Sequence, residues 1–206
     1  MTDEVEGFLK DFFEVNGFLV GRAVMDALPP KGGRLCPCLR VRNLRDSGRL
    51  GGGVDNPSFQ RFSGDVARMA SAVVAVAGFE LVVGGKTLNA NDRKYVQAFM
   101  KSLSAKPGFV FPWEIDGAGE PASAKAEEHL LVIPMLPSAE PSRGDVIAAL
   151  SRRGVTGVFT MRTILDHLIQ RVEQIPPEQL SAGLRILSLL RQMDLVKGSQ
   201  LDLFGG

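Results

Sequence analysis

The chain has 206 residues, 45% of them hydrophobic and 23% charged, which is enough apolar material for a packed core and excludes global disorder. The 24 Lys and Arg stand against 23 Asp and Glu, a formal net charge of +1. That balance excludes a uniformly basic protein that wraps nucleic acid and any acidic tail, and leaves a local basic patch open.

Residues 3–15 predict a helix, because Val5, Phe8, Leu9, Phe12 and Phe13 recur at spacings of three and four. Asp3 and Glu4 suit its positive end, and Asn16-Gly17 suits its stop. A first strand is expected at 18–24, a turn at 29–34, and a strand at 35–41 in which Pro37 prefers an edge or a bulge. Residues 43–64, Gly-rich and polar, read as a long, partly mobile loop. The run 72–77 has the small and β-branched character of a buried strand, and FELVV at 79–83 extends it or starts the next. A helix at 91–103 carries Val96, Phe99, Met100 and Leu103 on one side. Residues 108–115 read as a strand or irregular edge, 117–128 as a surface connection, and 129–136 as a buried strand. A short helix follows at 142–154, with Ser142 as its cap and Gly154 as its stop, and then a strand at 155–159. Thr160 is placed to cap a helix at 161–174 with an apolar stripe through Ile164, Leu165, Leu168, Ile169 and Val172. The last helix has Pro177 near its first turn and a stripe through Leu180, Leu184, Leu187 and Leu190. The expectation is one α/β domain over 1–206, with a mixed central sheet flanked by helices and a helix pair at 161–197.

Apolar stretches are short and interrupted by charge, and the first residues lack the basic region of a signal peptide, so a soluble, cytoplasmic protein without membrane contact is expected. Cys36 and Cys38 form CPC, a spacing that suits neither a CxxC redox pair nor an ordinary disulfide. His129 and His167 are not in ligand spacing with them, so no metal and no cofactor are expected. GGKT at 84–87 lacks the earlier glycine of a phosphate-binding loop, whose place Glu80 takes. GGG at 51–53 has no strand-turn-helix setting, and no nucleophile is placed against Asp166-His167. Between Lys31 and Arg61 seven basic residues face only Asp46 and Asp55. Of these, Arg40, Arg42, Arg45 and Arg49 are the candidate contacts for a phosphate backbone or an acidic protein partner, Arg40 and Arg42 pointing to one side of an extended segment. Acidic residues gather later, at Glu120, Glu127, Glu128, Glu140 and Asp145.

The opening VEGFLKDFFEVNGFLV and the run AVVAVAGFE resemble two parts of the restriction-endonuclease-like fold, the PD-(D/E)XK nuclease superfamily. The resemblance implies an amphipathic helix with a glutamate, here Glu6, leading into a first strand. It implies a second strand bearing an aspartate, a third bearing Glu-x-Lys, then a helix and further strands. In this chain the Glu-x-Lys positions hold Ala75 and Ala77, and no Asp or Glu occurs from Ala27 to Arg45. Two carboxylates must hold a divalent cation against the scissile phosphate, and alanine neither binds a metal nor moves a proton. The resemblance therefore implies a degenerate, non-catalytic member that acts as a binding or interaction protein. An alternative register recruits Asp65, Glu80 and Lys86 as a displaced metal-dependent site, with Glu80 and Lys86 six apart rather than two. A third reading is a self-associating assembly protein that uses the helix pair at 161–197.

Overall fold

The computed structural model describes residues 3–22, 31–44, 58–81, 93–105, 108–115 and 127–196. Helix α1 (Asp3–Val15) ends where Gly17 takes a φ of 84°, and β1 (Phe18–Arg22) follows at once. The main sheet has five strands in the order β1, β3 (Cys38–Asn43), β4 (Ser71–Val76), β6 (Glu128–Ile133) and β7 (Gly157–Thr160). The pairs β1–β3 and β3–β4 are antiparallel, and β4, β6 and β7 run parallel. Parallel neighbours need crossovers. These contain α2 (Arg93–Ser104), between β4 and β6, and α3 (Ser142–Ser151), between β6 and β7. Two helices, α4 (Met161–Arg171) and α5 (Ala182–Gln192), complete the described chain.

Side-chain alternation along the strands makes two cores, one on each side of the sheet. Ala72, Val74 and Val76 of β4 join Leu9, Phe12 and Phe13 of α1, Ile164 and Leu168 of α4, and Leu184 and Leu187 of α5. Ala75 and the following Ala77 join Phe99 and Leu103 of α2 and Val146, Ala149 and Leu150 of α3. The expected mixed sheet with helices on both faces is therefore present. No helix among the described residues is long and apolar enough to cross a membrane.

Several local expectations need correction. Pro37 splits the expected 35–41 strand: β2 (Arg34–Leu35) pairs parallel with β5 (Phe109–Val110) in a separate two-stranded sheet, while β3 joins the main sheet. Proline has no N–H for a ladder, so the chain changes partner there. Residues Phe79–Leu81 form a 3₁₀ turn rather than more strand, because Gly78, at φ 86°, turns the chain away. Ser142 is no cap; the residue before α3 is Pro141, and the Glu140 carboxylate accepts the Gly144 N–H at 2.9 Å. The last helix starts at Ala182 rather than near Pro177, which belongs to a separate 3₁₀ turn, and Ser181 caps it by accepting the Leu184 N–H at 3.1 Å. Within the expected 43–64 loop, Gln60 bridges to Val158 and a 3₁₀ turn begins at Ser63, while 45–57 lie outside the described residues. Thr160 does cap α4, accepting the Thr163 N–H at 3.3 Å.

Candidate functional site

The third strand of the main sheet is where the resemblance puts its chemistry. Ala75, fully buried in β4, lies in register with Cys38 of β3 on one side and Leu131 of β6 on the other. Ala77 follows the strand and is 3% exposed. Phe99 and Leu103 of α2 and Cys36 cover this end of the sheet in the same cluster. Gly78 marks how closely the helix approaches: a Cβ there would sit 3.0 Å from the Tyr95 hydroxyl and 3.1 Å from the Phe99 ring. Burial, with lesser opposition and help from nearby charges, pushes the Cys36 thiol up to about 12, and burial raises Cys38 as well. Both are thiols at neutral pH, poor nucleophiles and poor metal ligands.

The acidic candidates are dispersed. Glu6 accepts from Arg22 Nε at 2.8 Å, on the α1 side of the sheet and opposite to the Ala75 and Ala77 cluster. Asp65 accepts the Phe62 N–H at 2.7 Å and closes its own turn, beside Val66 of the α1-side core. Glu80 pairs with Arg34 at 3.1 Å. Among the described residues no group of three or more His, Cys, Asp or Glu is placed to hold a metal ion. Lys86 and the GGKT run lie outside the described residues.

The basic run divides by partner. Arg61 is 4% exposed and donates to Glu128 Oε2 at 2.6 Å, so it is an internal pin and not a surface cation. A Cβ at Gly157 would meet Arg61 Nε at 2.5 Å, so the glycine in β7 makes room for the guanidinium. Arg40 reaches Glu127 at 3.2 Å and remains exposed. Arg42 is exposed, with no carboxylate within ion-pair distance among the described residues. Arg45 and Arg49 lie outside the described residues. The acidic residues that looked like a separate region of sequence, Glu127 and Glu128, are thus partners of arginines brought to them by the sheet.

Arg40 lies in register with Gly21 and Val73, and Arg42 with Leu19 and Ser71. Residues directly opposite in a ladder share a face. Leu19 is 60% exposed and Gly21 has nothing within 4 Å of a built Cβ, so among the described residues this end of the sheet is open. In the next strand, His129 pairs with Val73 on the same face. Its ring stacks on Trp113 at 4.6 Å and 5°, Trp113 stacks on Phe111 at 5.2 Å, and the Arg153 guanidinium lies 4.3 Å from the Phe111 centroid. This column, whose His129 lies two strands over from Arg40 in the ladder, is invisible in sequence, since its members come from three separate segments. A cleft of about 630 Å³ opens elsewhere, between Arg93 and Gln97 of α2 and the 137–142 segment, with Arg93 and Glu140 as the charged residues of its described lining. No protein-family model, no curated protein and no solved structure matches the chain.

Proposed function

We propose that the chain is a non-catalytic binding protein on a degenerate, restriction-endonuclease-like frame, and that the open end of its sheet contacts the phosphate backbone of nucleic acid through Arg40 and Arg42. One observation carries the loss of chemistry. The two alanines at the Glu-x-Lys positions and the thiol of Cys38 opposite the first of them lie within or beside an apolar cluster. The order α1, β1, β3, β4, α2, β6 supports the frame, being the helix, three strands, helix and strand that the resemblance implies. Support for the binding surface comes from two exposed guanidinium groups two residues apart on one strand, with a flat stacked column nearby. Arginine and aromatic faces together suit a phosphate backbone and unstacked bases.

The test is fluorescence anisotropy of labelled single-stranded and duplex DNA. If Arg40 and Arg42 each neutralise one phosphate, affinity falls about tenfold between 50 and 200 mM salt. Arg40→Glu/Arg42→Glu then lowers affinity and reduces the salt slope by about 2. Equal affinity after the charge reversal would overturn the surface. In the same samples Mg²⁺ or Mn²⁺ is expected to produce no cleavage. Cleavage abolished by Asp65→Asn or Glu80→Gln would establish the displaced-site nuclease instead.

A further inference from the structure

Four of the seven exposed large apolar side chains among the described residues fall on one short stretch of chain. Ile186, Leu189, Met193 and Leu195, between 55% and 63% exposed, lie on α5 and in the turn after it. The helix already buries Leu184 and Leu187, so it is apolar on two sides. Asp194 takes a φ of 55°, and Val196 packs back against the α1-side core.

The sequence that follows, residues 197–206, reads KGSQLDLFGG. Within it Gln200-Leu201-Asp202-Leu203-Phe204 sets three large apolar side chains in five residues, between Gly198-Ser199 and Gly205-Gly206. Five residues are too few to nucleate a stable helix or to build a core of their own. Their apolar groups gain most by entering a preformed apolar cleft of another folded protein, the usual recognition mode of short linear segments.

We infer that residues 200–204 are a linear docking peptide for a folded protein partner, with the exposed α5 stripe bordering the contact. The partner needs apolar pockets for Leu201 and for the adjacent Leu203 and Phe204. It also needs a polar group for the Gln200 carboxamide, with Asp202 left at the rim. The kind of partner rests on the nucleic-acid reading above. Two arginine contacts to phosphate give weak, sequence-blind binding, and tethering to a protein already held on DNA raises the effective concentration at that surface by orders of magnitude. A protein loaded on DNA is therefore the class that fits, and a purified ring-shaped clamp that encircles the duplex is the probe.

The experiment immobilises that clamp without DNA and passes the full chain over it. Micromolar binding is expected, weakened about tenfold or more by Leu203→Ala/Phe204→Ala. Arg40→Glu/Arg42→Glu is expected to leave it unchanged, so failure of the docking peptide and failure of the phosphate surface are read separately. Absence of binding up to about 100 μM overturns the inference, as does binding that survives Leu203→Ala/Phe204→Ala. Sedimentation of the chain alone adds a further check. A dimer dissolved by the same double substitution would assign the segment to a second copy of this chain and overturn the partner proposed here.

Discussion

His167 projects from α4 into the core, 8% exposed, with its ring edge-on to Phe12 at 5.2 Å. The Asn16 amide has two N–H groups: one donates to the Phe12 carbonyl at 2.7 Å and the other to His167 Nε2 at 3.1 Å. Nε2 is therefore an acceptor, and the neutral ring is the form that fits. Burial, and secondarily the Arg171 charge, lower the pKa of His167 below its ordinary 6.5. A histidine whose folded pKa is depressed contributes stability that is complete above the unfolded value and lost as pH falls through 6.5 toward the lower folded one. Asp11, raised by burial against the smaller lowering effect of its Ser181 hydrogen bond, has the opposite sign, so the wild-type profile alone does not isolate His167. The informative comparison is urea unfolding of wild type and His167→Phe at about pH 7.5 and 5.5. Wild type is expected to lose more stability on acidification than the variant. The variant starts lower, because the Asn16 N–H loses its acceptor. Parallel pH dependence in the two proteins would show that His167 does not titrate differently in the fold.

Between elements, the apolar contact of α1 with α5 carries a relayed hydrogen bond. Ser181 donates its hydroxyl to Asp11 Oδ2 at 2.6 Å and accepts the Leu184 N–H at 3.1 Å, so a buried carboxylate on α1 polarises the cap of α5. Gly183 in the first turn of α5 permits the approach, since a Cβ there would meet the Phe8 ring at 2.9 Å. Ser181→Ala is expected to cost about 1–2 kcal/mol, the loss of a cap and of a partner for a buried carboxylate. In a double-mutant cycle with Asp11→Ala, a coupling of about 1 kcal/mol is expected from denaturant midpoints. Additive effects would show that the two groups act independently. This junction also marks how far the sequence could be read. The cores of α1, α2 and α4 and the buried runs of β4 and β6 were legible because apolar spacing follows directly from helix and strand geometry. The start of α5 was not, because Leu180 fits the same stripe while Pro176-Pro177 belong to a turn before the cap. Nor were the pairing of β2 with β5, the burial of Arg61 under Gly157, and the placing of Cys38 beside Ala75. Each depends on strand register between segments far apart in the chain, which no local pattern encodes.

For the molecule as a whole, the two-sided sheet decides whether the proposed frame could carry nuclease chemistry. In an active member the third strand must offer its carboxylate and lysine to solvent and a phosphate. Here Ala75 and Ala77 are 0% and 3% exposed, and Phe99, Leu103 and Phe111 share their cluster. On the proposed frame, the packing of the second helical layer would exclude that chemistry as firmly as the two residue identities do. Glu6, the other acidic candidate in the resemblance, is on the far side of the sheet and tied to Arg22. Ala75→Glu/Ala77→Lys is accordingly expected to lower stability by several kcal/mol, through overpacking and the burial of charge in an apolar cluster. It is also expected to produce no Mg²⁺- or Mn²⁺-dependent cleavage. Adding Cys38→Asp would bring a second carboxylate into register with the first, yet both would still meet the packed α2 side chains. Thermal unfolding and cleavage of labelled DNA, measured on the same preparations, check both parts. A triple variant that stays as stable as wild type and cuts DNA would show that the second helical layer opens readily and that these three side chains suffice for cleavage on the proposed frame.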